Sequence, residues 1–319
     1  MFLKKIIFLG LFFAGSLLFS QESYIDYQSP FHPTIGNSGM IVSQNEASTD
    51  IGIKILNMGG NAIDAATAVG FSLAITLPRA GNLGGGGFML IYLRDKKKTI
   101  AVDFRSAAPM NISNDDYLFL KNNYDKRRYG YKASAVPGTV AGLLRAHKQY
   151  GKLSLNRILQ PVIKQASEGI LVSYDLHNAI KSTFQITLDK ETKSIFFNDK
   201  NAIRQNYILK RPDLALTLKE IAKNGEDAFY SGSIAKKIVK AMEQNGGFIS
   251  LEDLENYEPR FSEPIFTYYR DYKVLAHPPP AGGASVLLES LNILENFQTP
   301  ELDPNSAKFL HLFAEALSR

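Results

Sequence analysis

Apolar positions recur at helical spacing over 46–58, where Ile51, Ile55 and Leu56 share a side and Gly59-Gly60 ends the run. Asn61 then caps a second helix over 62–75, with Asp64 favourably placed near its N-terminus. This helix is rich in Ala and carries little charge around its whole circumference, the pattern of a helix packed inside a protein. The period changes after the break at 78–87. Residues 88–93 and 99–105 read as two strands joined by a short polar turn, an antiparallel hairpin. In the second strand Ile100, Val102 and Phe104 share one face, and Ala101, Asp103 and Arg105 the other.

The remainder is mostly helical in pattern. Pro137 suits a first helical position and Gly151 a stop, which predicts a helix over 137–150. Further helices are expected over 153–165, ending at Gly169, and over 213–222 and 233–243. Ser250 with Asp253 opens a short one. Residues 172–212 carry no clean period. A strand over 272–277 meets Pro278-Pro279-Pro280, and a helix runs from about 284 to 297. The last stretch, 305–319, is helical, with Phe309, Leu310, Phe313 and Leu317 apolar. It stops at Arg319 without a terminating signal, as a chain cut within a helix would.

Composition alters this picture in three places. The first twenty residues pair Lys4 and Lys5 with an apolar run over 6–19 and a small residue, Ser20, ahead of a polar stretch. That is the layout of a secretory signal peptide over 1–20, cleaved after Ser20, and it predicts an exported protein, periplasmic or extracellular. The run is too short for a stable membrane span. The net charge of +5 includes the two leader lysines, so the remaining excess gives no case for nucleic acid. The 319 residues contain no cysteine, which excludes a lipoprotein anchor, disulfides and a thiol nucleophile within them.

Several features invite chemistry. Gly84-Gly85-Gly86-Gly87 follows a helix and opens a strand, the reverse of a phosphate loop, so it reads as a tight passage of backbone. Ser233 and Lys236 match a short Ser-x-x-Lys pattern without its companion motifs, and read as a helix start. Asp115-Asp116 after Ser113 reads as a first helical turn. His32, His147, His177, His277 and His311 are scattered without ligand spacing. Arg105 differs from these. A guanidinium on the polar side of a strand needs an anion, either a substrate carboxylate held by its two-pronged fork or an internal partner such as Asp103.

Five segments, in order, resemble the γ-glutamyltransferase (glutathione hydrolase) family. They begin at Gly59-Gly60-Asn61-Ala62-Ile63-Asp64, Ala80-Gly81-Asn82-Leu83-Gly84 and Asp103-Phe104-Arg105-Ser106-Ala107. Val136-Pro137-Gly138-Thr139 and Pro278-Pro279-Pro280-Ala281-Gly282-Gly283 complete the set. The resemblance implies an α+β N-terminal-nucleophile hydrolase fold, an αββα sandwich that is incomplete in this chain. It makes 21–319 a large-subunit portion truncated at its C-terminal side. The family's precursor cuts itself, and the threonine freed at the start of the small subunit attacks a γ-glutamyl amide.

On that likeness Arg105 binds the substrate's α-carboxylate, no catalytic nucleophile lies within the chain, and no cofactor or metal is implied. The partners implied are glutathione and other γ-glutamyl peptides, acceptor amino acids, peptides or water, and the protein's own small subunit. Neither nucleic acid nor stable membrane insertion is among them. Ser106 stands where the family has Glu, with Ala107 next, so acceptor preference stays open. Poly-γ-glutamate hydrolysis, β-lactam acylase activity and a non-catalytic exported binding protein are the alternatives.

Overall fold

The computed structural model describes residues 34–183, 189–199, 201–297, 302–303 and 305–318. The leader over 1–20 and the terminal Arg319 lie outside the described residues. Two units are present. In the first, 34–40 is irregular. The second, from Ile41 onward, carries the regular structure.

Helices α1 (Glu46–Asn57) and α2 (Ala62–Thr76) begin as the caps dictate. Asn45 accepts from the Ala47 amide, and Asn61 with Asp64 forms a reciprocal capping box. Ten of the fifteen residues of α2 are buried, which accounts for its Ala-rich circumference. Small hydroxyls lock these helices together. Ser48 Oγ lies 2.8 Å from both Ser72 Oγ and Thr76 Oγ1, and Ser72 donates to Gln165 Oε1 at 2.7 Å.

The hairpin forms as expected from β1 (Phe88–Leu93) and β2 (Lys98–Asp103), with Ile91 opposite Ile100. Its faces are less one-sided than the alternation implied. Ala101, expected on the polar side, is as fully buried as Val102. The strand assignment ends at Asp103 instead of Arg105, since the Arg105 amide turns to Asp103 Oδ1 at 2.9 Å.

Residues 107 and 136 then form an isolated bridge, so the chain enters the next helix extended. Helix α3 is Asn114–Asn122, opened by Ser113 and Asp116, and α4 is Thr139–Tyr150. The expected start of α4 at Pro137 is therefore two residues early. Gly138 and Thr139 donate instead to the Gly85 carbonyl, at 2.8 and 3.1 Å, which ties the glycine run to the helix entrance. Helix α5 is Leu155–Glu168 and buries Ile158, Leu159, Val162 and Ile163. Its start moves from 153 to 155 because the Leu153 backbone is bonded to Asp64 and His147.

The stretch without a period holds two short helices, Tyr174–Ser182 and Lys190–Phe196, and short strand pairs. Helices α6 (Pro212–Asn224), α7 (Glu226–Tyr230), α8 (Ser233–Asn245) and α9 (Leu251–Glu255) follow. Strand β3 (Arg260–Ser262) adds antiparallel to β2, giving the order β1-β2-β3. A second hairpin, β4 (Ile265–Tyr269) with β5 (Tyr272–Ala276), precedes α10 (Gly282–Leu294) and α11 (Ala307–Leu317). Among the described residues the largest sheet is thus three-stranded.

The glycine run earns its composition at Gly86. A Cβ there would lie 2.4 Å from the Ser106 amide nitrogen and 2.6 Å from the Phe104 carbonyl oxygen, both backbone atoms that cannot yield alone. Gly86→Ala is expected to cost about 1–3 kcal/mol. The check is a lower urea midpoint at an unchanged denaturant slope.

Candidate active site

The end of β2, the 107–110 segment, the α9–β3 link and Pro280 enclose a cleft of about 310 Å³. Its charged lining comprises Arg105, Arg260, Asp103, Asp253 and Glu258, with Ser106, Ala107 and Ala108 leaving space beside Arg105. Each of these groups has a local reason for its place.

Asp253 is buried and spans two tasks. It caps α9 through Ser250 and accepts from the Met110 amide at 2.7 Å, pinning the 107–110 segment to α9. Burial pushes its carboxyl up, but the hydrogen bonds from Met110 and Ser250 outweigh this and hold it below the ordinary value. Asp103 accepts from the Arg105 amide. Tyr257 donates its hydroxyl to the Arg105 carbonyl at 2.8 Å, and lies stacked on Tyr230 with ring centroids 5.8 Å apart. Burial, with the Asp103 carboxylate adding to it, pushes the Tyr257 phenol up to about 12.

Arg105 itself is exposed at this cleft. Among the described residues its guanidinium has no hydrogen-bond or ion-pair partner; its only contacts of this kind are through its backbone. The internal salt bridge with Asp103, one of two readings open from sequence, is therefore not formed. A guanidinium at a cleft wall, free of internal carboxylates, can take an external carboxylate through two parallel hydrogen bonds.

A larger, open cleft of about 860 Å³ is lined by Arg145, Lys148 and Glu226 among others. Its arginine is already committed, with Nε 2.7 and 2.8 Å from the two Glu226 oxygens. Burial raises the Glu226 carboxyl while the Arg145 charge opposes the rise. The arginine of the larger cleft is thus less available than Arg105.

The remaining sequence features fall elsewhere. Ser233 begins α8 and its hydroxyl bonds to Glu220. Asp116 completes the cap of α3. Among the described residues no three His, Asp or Glu side chains cluster as a metal would need. Sequence reading missed Tyr257 and the second bond of Asp253, and no local pattern marks either.

Comparison with known proteins places this arrangement in a class. The fold is that of the N-terminal-nucleophile hydrolases. The chain superposes on the Helicobacter pylori gamma-glutamyltranspeptidase crystal structure with a TM-score of 0.86 at 36% identity, covering 90% of this chain and 83% of that one. For the Pseudomonas nitroreducens gamma-glutamyltranspeptidase complexed with L-DON the score is 0.83 at 33% identity, covering 89% and 85%.

The family profile described as gamma-glutamyltranspeptidase matches residues 48–319, and the chain belongs to that family. The glutathione hydrolase proenzyme of Escherichia coli (strain K12) is 40% identical over 298 residues, 92% of this chain and 51% of that protein. The chain spans about half the length of the curated relatives it matches.

Proposed function

We propose that the complete protein is an exported γ-glutamyl hydrolase and transferase acting on glutathione and related γ-glutamyl peptides. Arg105 holds the donor's α-carboxylate in this reading, and the observation that carries it is the unpaired guanidinium facing the 310 Å³ cleft. An acid without a free α-carboxylate, such as an acylase side chain, makes no use of that fork. Poly-γ-glutamate chains keep the group and share the site's chemistry.

The nucleophile is a threonine beyond residue 319, exposed when the precursor cuts itself into a large and a small subunit. Its hydroxyl adds to the γ-amide carbon, the amine departs with a proton, and the resulting ester passes its acyl group to water or an acceptor amine. The basic–apolar–small order of residues 1–20 supports export. No helix among the described residues is long and apolar enough to cross a membrane.

The test pairs a mass with an assay. Protein isolated from its own host should give two chains, the smaller beginning with Thr. It should release p-nitroaniline from the γ-glutamyl anilide but not from the α-glutamyl isomer. A single uncleaved chain, or equal turnover of the two anilides, would overturn the reading.

A further inference from the structure

Two backbone-to-side-chain hydrogen bonds converge on residue 105. Its amide is held by Asp103 Oδ1 at 2.9 Å, and its carbonyl by the Tyr257 hydroxyl at 2.8 Å, so the peptide on each side of Arg105 is fixed. The Tyr257 ring lies nearly parallel to Tyr230, at 10°, and Tyr230 is itself anchored. It donates to the Pro137 carbonyl at 2.9 Å and accepts from the Ala141 amide at 3.1 Å.

The last support is steric. A Cβ on Gly138 would lie 2.1 Å from the Tyr257 hydroxyl and 2.2 Å from the Phe104 carbonyl, and one on Gly142 would lie 2.1 Å from the Phe104 ring. The hydroxyl reaches Arg105 because residue 138 has no side chain. The glycines at 138 and 142 thus make room for the two groups that seat the Asp103-Phe104-Arg105 segment.

Resting on the proposed function, we infer that Tyr257 is the positioning residue that aims the Arg105 guanidinium at the donor carboxylate. It touches no substrate. By fixing the carbonyl of residue 105 it sets the direction in which the arginine side chain leaves the backbone, and a two-pronged contact is sensitive to that direction. The phenol, pushed up to about 12, stays protonated and remains a donor at working pH.

The experiment uses the full-length, self-processed protein and four forms: wild type, Tyr257→Phe, Arg105→Ala, and the double variant. Each is assayed with γ-glutamyl-p-nitroanilide and with its α-carboxyl methyl ester. Tyr257→Phe keeps the stacked ring and removes one hydrogen bond. It should raise KM for the free acid about fivefold, with kcat within about twofold and KM for the ester unchanged. In the Arg105→Ala background the same change should add nothing, since both act on one contact.

An unchanged KM in Tyr257→Phe, or equal rises for acid and ester, would overturn the inference and leave Tyr257 with a purely structural role. So would additive effects in the double variant. Failure of the proposed function looks different: Arg105→Ala would then discriminate between acid and ester as wild type does.

Discussion

Replacing Asp64 with alanine is expected to lower the stability of the folded protein by about 3–5 kcal/mol. The side chain is fully buried and serves three chain segments at once. It accepts from the Asn61 amide at 2.8 Å, from the Lys152 amide at 3.0 and 3.1 Å, and from the Leu153 amide at 3.3 Å. His147 Nε2 stands 3.2 Å away, itself 2.9 Å from the Leu153 carbonyl. Alanine strands these donors without water, and each buried amide left unpaired costs about 1–3 kcal/mol. For a chain of this size or larger the melting temperature should fall by roughly 5 °C. Asparagine, which keeps one acceptor oxygen, should lose less. Thermal melts of the full-length protein followed by circular dichroism decide the matter. A loss under about 1 kcal/mol would mean that the amides find other partners.

Removing the Arg105 guanidinium should be the largest effect on activity. On the proposed role, Arg105→Ala deletes a fork of charge-assisted bonds to the donor carboxylate, and about 3 kcal/mol corresponds to roughly a 100-fold loss in kcat/KM. Lysine restores the charge as a single point without the planar fork, and is expected to recover part of the loss. The proposed self-cleavage should survive both changes, because it would involve no donor carboxylate. Steady-state kinetics separates the possibilities. A Michaelis constant equal to wild type would remove Arg105 from substrate binding.

Much of this architecture is written locally. The caps at Asn61, Ser113 and Ser250 satisfy amides within three residues, so sequence spacing alone locates them. The hairpin at 88–103 follows from alternation across a short polar turn. The entrance of α4 was misjudged because Pro137 is compatible with a helix start, while the deciding acceptor, the Gly85 carbonyl, lies more than fifty residues away. The strand at 260–262 escapes sequence reading for a similar reason, since β3 pairs with the distant β2, whereas β4 pairs with its neighbour β5.

At the cleft, Arg105 could be singled out from residue type and neighbours, but whether it was paired internally could not. That depended on Asp103 turning to the backbone amide of residue 105, a choice between two donors that sequence does not rank. Tyr257 carries no local mark, since one tyrosine after a short helix resembles any other.

The bonds that seat the cleft join parts of the chain far apart in sequence, 152 residues for Tyr257 and Arg105 and 143 for Asp253 and Met110. The bonds that Asp64 makes to 152 and 153 close spans of 88 and 89 residues. Contacts of greater separation form more slowly, and a chain delivered from its N-terminus offers the nearer ones first. The helical core around α2, α4 and α5 can consolidate while residue 257 is still being synthesised or threaded. Until then the Arg105 carbonyl lacks the Tyr257 hydroxyl that holds it in the folded protein. On the proposed role of Arg105, competence to grip a substrate is expected to follow bulk helicity, so ligand affinity should report the completion of folding in a way that far-ultraviolet signal does not.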